Sequence, residues 1–202
     1  MFDLQNLVRE NIRTLQPYSS ARDEFSGKEG IFLDANENPF GTLNRYPDPY
    51  QLELKALLAQ SKGLRTDQIF VGNGSDEVID LMYRIFCNPG IDKAVTFSPT
   101  YGMYDVSAAI NEVELIKVPL SDTFDIDLSW TKSKLTEYNP KLVFICSPNN
   151  PTGNVISSEA IESVLQSTQG IVVVDEAYIE FSGTLSALGL INSYPNLVVT
   201  AV

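Results

Sequence analysis

The chain has 202 residues, is 44% hydrophobic and 20% charged, and carries a formal net charge of −12. This is typical of a globular protein with one sizeable domain, or with a large domain and an appendage. No cluster of Lys and Arg provides the basic face that nucleic-acid binding requires, and no apolar run is long enough to span a membrane. The first residues, MFDLQNLVRE, lack the apolar core of a secretory signal, so we expect a cytoplasmic protein.

The N-terminal part is predicted to contain two helices and one short strand. Apolar residues between positions 4 and 15 recur at helical spacing, and Pro17 is predicted to end this helix. A short strand is expected at residues 31–33, followed by the loop DANENPFGTLNRYPDPY. Asp48, which precedes a proline, predicts the start of the second helix, and Gly63 predicts its end.

Further along the chain, short β-branched runs alternate with segments of helical periodicity. Strands are predicted at residues 69–71, 94–97, 113–118, 142–146, 171–174 and 197–200, and helices at residues 75–87, 101–110, 127–138 and 157–167. This alternation predicts an α/β fold of three layers, in which helices cover both faces of a mostly parallel sheet.

Four unusual stretches follow predicted strands. They are GNGSDE, SPTYGMY, SPNNPTG and DEAY, after the first, second, fourth and fifth strands of this alternating region. Ligands bind at the carboxyl ends of the strands in open parallel sheets. The coincidence of four such stretches at one edge therefore predicts a ligand site there.

The composition limits the chemistry of such a site. Histidine is absent, which excludes Ser-His and Cys-His nucleophilic catalysis and most zinc sites. Cys87 and Cys146 follow apolar residues and are predicted to be buried thiols, not a disulfide or a metal pair. Any catalysis would depend on Tyr, Lys, Asp, Glu, backbone amides or a bound cofactor.

The glycine-rich stretch GNGSDE is a candidate anion site. Free amides at a helix N-terminus favour an anion, and glycine lets the backbone approach a ligand closely. The amides of Gly74, Ser75 and Asp76 are therefore candidates to hold a phosphate. The alternative is a tight turn with a Ser or Asp cap. Glu77 stands where the third glycine of a dinucleotide fingerprint would be, which counts against that motif.

Three other residues each have two possible roles. Asp175 ends a fully apolar strand, where a carboxylate is costly unless it is paired or functional. It either serves a ligand or caps the next turn. Tyr101 and Tyr104 lie near the start of a predicted helix, where an aromatic ring either stacks on a planar ligand or joins the core.

Taken together, the ordered stretches PYSSARDE, LDANENPFG, NRYPDP, GNGSDE, SPTYGMY, SPNNPTG and VVVDEAY resemble the fold type I pyridoxal-phosphate aminotransferases. The closest resemblance is to the histidinol-phosphate branch of that family. It spans nearly the whole chain and implies pyridoxal 5′-phosphate as the cofactor. By this resemblance, Asn150 and Tyr178 reach the phenolic oxygen of the cofactor, Asp175 pairs with the pyridine nitrogen, and Tyr101 stacks on the ring. Asn149 is expected to serve only the turn.

The resemblance also implies roles at the phosphate and beyond one subunit. The amides of Gly74, Ser75 and Asp76 would bind the phosphate. Tyr46 would reach the phosphate of the partner subunit's cofactor, which implies a homodimer with a shared site. Residues 1–38 would form an N-terminal arm and the start of a small domain, and residues 39–202 an incomplete large domain.

The implied reaction is amino transfer between glutamate/2-oxoglutarate and histidinol phosphate/imidazole-acetol phosphate, in histidine biosynthesis. Tyr18 and Asn38 would lie near the side chain of these small-molecule substrates. The alternatives are another fold type I enzyme, such as a threonine-phosphate decarboxylase relative, or a fragment that binds a cofactor or partner without catalysis. An unrelated doubly wound nucleotide binder is a further alternative.

One residue that the resemblance requires is missing. The family's lysine, which forms a Schiff base with the cofactor, follows the next strand in relatives. Here no lysine occurs after Lys141. We therefore expect a truncated piece of an ordinary enzyme, inactive on its own, and regard a naturally short protein as the alternative.

Overall fold

The computed structural model describes residues 2–19, 25, 31 and 33–202. The chain divides into two compact units. The larger unit comprises Met1–Thr14 and Gly72–Val202, and the smaller unit comprises Leu15–Val71. All the strands of the sheet belong to the larger unit.

The larger unit is built on a sheet of five parallel strands in the order β2-β1-β3-β4-β5. The strands are β1 (Lys93–Ser98), β2 (Glu114–Pro119), β3 (Leu142–Cys146), β4 (Ile171–Asp175) and β5 (Leu197–Thr200). Each lies within one residue, at either end, of a strand predicted from the sequence. In the register, Cys146 pairs with Asp175 and Asp175 pairs with Thr200. Three strands therefore end level at one edge of the sheet.

Both faces of this sheet are buried. Along β3, Val143 and Ile145 belong to one hydrophobic cluster, whereas Leu142, Phe144 and Cys146 belong to the other. This alternation is expected of a strand that packs against helices on both sides. The three-layer α/β architecture predicted from the sequence is confirmed.

The helices are α1 (Glu10–Arg13), α2 (Leu52–Lys62), α3 (Ser75–Phe86), α4 (Met103–Ile110), α5 (Leu128–Tyr138) and α6 (Ser158–Ser167). Helices α3 and α4 pack on one face of the sheet, and α5 and α6 pack on the other. The start of α5 is capped by Asp127 and that of α6 by Ser157, whose side chains accept hydrogen bonds from amides of the first turn. In the described part of the chain, no helix combines the length and apolarity needed to cross a membrane.

The predicted N-terminal helix is wrong in extent. The segment forms a 3-10 turn at Leu4–Asn6 and the short helix α1. Between them, the Arg9 amide donates to the carbonyl of Ile85 (2.9 Å) and its guanidinium to that of Arg84 (2.9 Å). The chain thus bonds to the end of α3 where a continuous helix would bond to its own preceding turn.

Two predicted strands are also wrong within the described residues. The amide of Ile69 donates to the carbonyl of Thr66 (3.3 Å), and no strand of the described chain pairs with residues 69–71. A three-residue run without a neighbour has no ladder to join. Ile31 and Leu33 lie outside any strand and are almost fully exposed, while residue 32 of that prediction lies outside the described residues.

The smaller unit contains α2 and the loop that precedes it. The Asp48 carboxylate accepts hydrogen bonds from the amides of Tyr50 (2.9 Å) and Leu52 (2.8 Å), so it satisfies the start of α2 although the helix begins at Leu52. Gly63 ends the helix with φ +68°, a conformation that glycine adopts without strain. Both predicted boundary signals of this helix therefore act at its ends.

Candidate functional site

A cavity of about 170 Å³ opens at the carboxyl edge of the sheet. Its lining residues are Ser75, Tyr101, Cys146, Asn150, Asp175, Ala177, Tyr178 and Val202. The structure thus brings together side chains from all the predicted cofactor-binding stretches of the larger unit. A more open hollow of about 390 Å³ lies beside it and shares Asn150 and Tyr178.

Asp175 lies at the floor of this cavity and is only 3% exposed. Its Oδ2 accepts a hydrogen bond from the Tyr104 hydroxyl (2.7 Å). Its Oδ1 accepts from the Thr200 hydroxyl (3.0 Å) and, at longer range, from the amide of Ala177 (3.3 Å). The carboxylate therefore both caps the following turn and faces the cavity. The two roles that the sequence suggested for Asp175, a cap and a ligand contact, are compatible. The hydrogen bonds offset the cost of burying a charge.

Tyr104 is the partner of Asp175 that the sequence did not reveal. It is fully buried on α4, and its ring stacks on Phe144 with centroids 4.9 Å apart. Burial, followed by the nearby charge of Asp175, raises the pKa of the Tyr104 hydroxyl, so it remains protonated and donates to the carboxylate. Tyr104 is thus a core tyrosine, which was one of the two expectations from the sequence. Its hydrogen bond to Asp175 could not be predicted from local sequence, because the two residues are 71 positions apart.

Tyr101 forms a wall of the cavity and is not a core residue. It lies in the turn before α4, which begins at Met103 and thus later than predicted. Its ring meets Tyr104 edge to face, with centroids 5.7 Å apart, and its hydroxyl donates to Asp76 Oδ1 (3.1 Å). Partial desolvation and this hydrogen bond raise the pKa of Tyr101. The turn that carries the ring is thereby tied to the first turn of α3.

The start of α3 has the features of an anion site. Gly74 is the N-cap residue, with φ +80°, and no side chain caps the helix. Within the described chain, the amides of Gly74, Ser75 and Asp76 donate to no acceptor. The alternative of a Ser or Asp cap is thus not what the structure contains. Unpaired amides at the positive end of a helix dipole favour an anion.

The loop after β3 and the turn after β4 present two further polar groups. Asn150 is partly buried at the cavity, and Tyr178 is half exposed beside it. Neither the Asn150 carboxamide nor the Tyr178 hydroxyl has a hydrogen-bond partner within the described part of the chain. Both groups are therefore available to a ligand. Cys146, which the site prediction did not include, also lines the cavity, and burial raises the pKa of its thiol.

The remaining predicted site residues belong to the smaller unit. The Tyr46 amide donates to Glu37 Oε1 (2.9 Å), while its side chain is 65% exposed. Asn38 Oδ1 accepts from the amide of Phe40 (3.0 Å), and Tyr18 is 89% exposed. The roles of Tyr18, Asn38 and Tyr46 remain predictions.

Comparison with known families supports the class that the fold and the cavity suggest. Residues 25–201 match the family model for aminotransferase class I and II. This match covers most of the chain and agrees with the three-layer sheet. The chain belongs to the aminotransferase class I and II family, which removes the alternative of an unrelated nucleotide binder.

Within this family the chain is similar to histidinol-phosphate aminotransferases. It is 51% identical to that of Cytophaga hutchinsonii over 203 residues and 52% identical to that of Parabacteroides distasonis over 200 residues. Each alignment covers 98% of this chain but 58% of the relative. The chain thus spans somewhat more than half the length of the curated relatives it matches.

Solved structures give the same picture. The histidinol-phosphate aminotransferase of Clostridium acetobutylicum matches with a TM-score of 0.68 and 28% identity, over 78% of this chain and 46% of that one. The histidinol-phosphate aminotransferase from Sinorhizobium meliloti, solved with pyridoxal-5′-phosphate, matches with a TM-score of 0.68 and 27% identity. This match covers 78% of the present chain and 43% of the Sinorhizobium chain. A threonine-O-3-phosphate decarboxylase from Porphyromonas gingivalis shares the fold at 22% identity and a TM-score of 0.63, over 78% and 48%.

Proposed function

We propose that this chain is the cofactor-binding part of a pyridoxal-phosphate aminotransferase that acts on histidinol phosphate/imidazole-acetol phosphate with glutamate/2-oxoglutarate. The single observation that carries the proposal is the buried carboxylate of Asp175, which faces a cavity shared with Tyr101, Asn150 and Tyr178. Two relatives that are 51% and 52% identical to this chain are histidinol-phosphate aminotransferases, which supports this substrate pair.

The residues present fit pyridoxal 5′-phosphate at three points. The cofactor has a pyridine nitrogen, a phenolic oxygen and a phosphate on a planar ring. Asp175 provides an acceptor for the protonated nitrogen, and Asn150 and Tyr178 provide two donors for the oxygen, both without partners in the described chain. The unpaired amides at the start of α3 provide donors for the phosphate.

The bound cofactor supplies an electron-withdrawing ring that stabilises negative charge at the substrate α-carbon. The chain's own residues hold that ring in its reactive state. Asp175 holds the proton on the pyridine nitrogen, because a nearby carboxylate favours the charged form of its partner. Tyr104 and Thr200 donate to Asp175 and so fix where its oxygens point. Tyr101 packs against the ring, and Asn150 and Tyr178 orient the phenolic oxygen.

The cavity has no amine that could react with the cofactor. None of its lining residues is a lysine. Lys141, the last lysine in the sequence, immediately precedes β3 and therefore lies at the amino edge of the sheet, opposite the cavity. We expect this chain to bind the cofactor without turning over substrate.

A binding experiment tests the proposal. Pyridoxamine 5′-phosphate is the probe, because it lacks the aldehyde that would react with surface lysines, and equilibrium dialysis gives its affinity. Asp175→Asn keeps the shape of the side chain but removes its charge, so we expect binding weaker by about 10- to 100-fold, the value of a charge-assisted hydrogen bond. Asp105→Asn, at an exposed carboxylate paired with Lys117, is the control for charge loss and should bind as the parent chain does.

Two outcomes would refute the cofactor proposal: no saturable binding by the parent chain, or equal binding by the Asp175→Asn variant. The substrate is tested separately with the protein encoded by the intact gene. It should transfer the amino group of glutamate to imidazole-acetol phosphate and should not decarboxylate threonine phosphate. The reverse pattern would favour the decarboxylase alternative.

The wider organisation of the enzyme stays part of the proposal. It includes the homodimer in which Tyr46 reaches the partner's cofactor, the substrate contacts of Tyr18 and Asn38, and a cytoplasmic location. It also includes the division into an arm and small-domain start at residues 1–38 and a large domain at residues 39–202. Light scattering of the intact gene product measures whether it is a dimer. The activity of dimers that mix Tyr46→Phe and parent subunits then tests whether the site is shared.

A further inference from the structure

Asn149 is the most highly connected residue of the loop after β3. It is 5% exposed. Its amide donates to the carbonyl of Asn154 (2.8 Å), and its carbonyl accepts from the amide of Gly153 (2.7 Å). Its Nδ2 also donates to the hydroxyl of Thr152 (2.7 Å). These bonds close the turn, which is the role that the sequence suggested for it.

The side chain of Asn149 also reaches a second loop, which the sequence did not suggest. Its Nδ2 donates to the carbonyl of Pro99 (2.9 Å), and its Oδ1 accepts from the hydroxyl of Thr100 (2.8 Å). Pro99 and Thr100 follow β1, so one carboxamide joins the ends of two neighbouring strands of the sheet. All the polar atoms of the buried side chain are used.

The two joined loops carry two walls of the cavity. Thr100 directly precedes Tyr101, and Asn149 directly precedes Asn150. A fixed connection one residue before each wall sets the distance between the Tyr101 ring and the Asn150 carboxamide. We propose that Asn149 is a positioning residue, which holds these two side chains at the spacing that the cofactor ring requires. This inference rests on the function proposed above.

Only a carboxamide can make this set of bonds. An amide group has two N–H donors and an acceptor oxygen, whereas a carboxylate has no donor for the Pro99 carbonyl. The network continues beyond Asn149. The Thr152 hydroxyl donates to Asn154 Oδ1, and Asn154 Nδ2 donates to the carbonyl of Phe124 (2.9 Å). Removing the Asn149 side chain takes a hydrogen-bond partner from three part-buried groups at once: the Pro99 carbonyl and the hydroxyls of Thr100 and Thr152.

The first test compares two probes of the cavity in the parent chain and in Asn149→Ala. The ring probe is pyridoxamine 5′-phosphate and the anion probe is inorganic phosphate. We expect the variant to bind the ring probe about tenfold or more weakly, which corresponds to about 1.4 kcal/mol or more, because it loses the alignment of two contacts with the ring. Binding of inorganic phosphate at the start of α3 should stay within about twofold, because in the described part of the chain Asn149 makes no hydrogen bond to that turn.

The matched control is Asn196→Ala. Asn196 is also a buried asparagine (6% exposed), and its Nδ2 contacts the carbonyls of Leu165 (3.1 Å) and Gly170 (3.4 Å). It precedes β5 and lies at the opposite edge of the sheet. Its loss should lower stability without changing the affinity for either probe. Equal weakening in the two variants, or equal loss of both probes in Asn149→Ala, would overturn the inference.

A second measurement does not depend on cofactor binding. The ring signals of Tyr101 in the nuclear magnetic resonance spectrum of tyrosine-labelled protein are identified with Tyr101→Phe. They should shift or broaden in Asn149→Ala but not in Asn196→Ala. Unchanged Tyr101 signals would overturn the inference whatever the binding result. If the parent chain binds no ring probe while the signals still shift, the proposed cofactor fails and the role of Asn149 in positioning Tyr101 stands.

The conservative variant guards against a failure to fold. Thr100→Val removes only the hydroxyl that donates to Asn149 Oδ1 and leaves the turn after β3 intact. It should weaken the ring probe in the same direction as Asn149→Ala but by less. Thr100→Val protein with parent affinity and parent Tyr101 signals would contradict the connection between the two loops.

Discussion

Replacing Tyr104 by Phe tests whether the Asp175 carboxylate depends on its buried hydroxyl donor. The substitution removes one oxygen atom, 2.7 Å from Asp175 Oδ2, at a fully buried position. The ring keeps its stacking on Phe144, and the backbone carbonyl still accepts from Tyr83. The change therefore removes the hydrogen bond to a charged group while these other contacts of Tyr104 stay in place.

The same helix pair offers a matched control in Tyr83→Phe. Tyr83 is also fully buried, but its hydroxyl donates to a neutral acceptor, the carbonyl of Tyr104 (3.0 Å). A hydrogen bond between neutral groups contributes about 0.5–1.5 kcal/mol, and one to a charged group about 1.5–3 kcal/mol. We therefore expect Tyr104→Phe to lower the free energy of unfolding by about 1 kcal/mol more than Tyr83→Phe.

Urea unfolding at neutral pH, followed by circular dichroism, measures both losses. Equal costs, or a larger cost for Tyr83→Phe, would refute the view that Tyr104 compensates the buried charge. Alkaline pH gives a second check with a defined sign. Because the fold raises the pKa of Tyr104, the unfolded chain loses this proton first, and stability falls as pH rises above about 10. The Phe variant should show a shallower fall, by up to about 1.4 kcal/mol per pH unit.

Two further predictions concern the core. Gly170→Ala should lower the free energy of unfolding by about 1–3 kcal/mol, because the added Cβ would lie 2.3 Å from the Pro140 carbonyl oxygen. Gly189→Ala is the control, because the space around Gly189 is open, and it should lower stability less. Equal losses of stability in urea unfolding would contradict this reasoning. Both cysteines are buried free thiols, so a thiol reagent at neutral pH should label native protein slowly and urea-unfolded protein fully. Fast labelling of the native protein would contradict the burial. Burial also raises the pKa of Cys87 from its ordinary 9.0 to about 12, so the free energy of unfolding should fall across that pH range. The fall should be less steep in Cys87→Ala.

The sequence predicted the sheet well because burial on both faces leaves a strong pattern. The runs that became β3 and β4 are wholly apolar up to their last residues and are buried throughout. The segment at residues 69–71 has the same composition, but a strand also needs a neighbour, and composition does not show which neighbours exist. The N-terminal helix failed for a related reason, since Arg9 bonds to the end of α3, far along the chain.

The place of the candidate site could be predicted from the sequence, but its hydrogen-bond network could not. Tyr101, Asn150, Asp175 and Tyr178 line one cavity at the carboxyl edge of the sheet, where the stretches after predicted strands were expected to meet. Their roles toward a cofactor stay predictions. Tyr104 escaped prediction because a buried tyrosine at helical spacing has the same pattern whether or not its hydroxyl meets a carboxylate.

The acidity of the chain and the anionic cofactor proposed for it are compatible because the decisive charges are local. The net charge is −12, which by itself disfavours a phosphate. Charges more than about 10 Å away are largely screened at 0.1 M salt, whereas unpaired amides at a helix start act at contact distance. Two carboxylates belong to that first turn. Asp76 accepts a hydrogen bond from the Tyr101 hydroxyl (3.1 Å), and Glu77 accepts one from the amide of Asn73, so both charges are partly offset by donors. The three amides that lack an acceptor in the described chain are therefore suited to a phosphate although the net charge is negative.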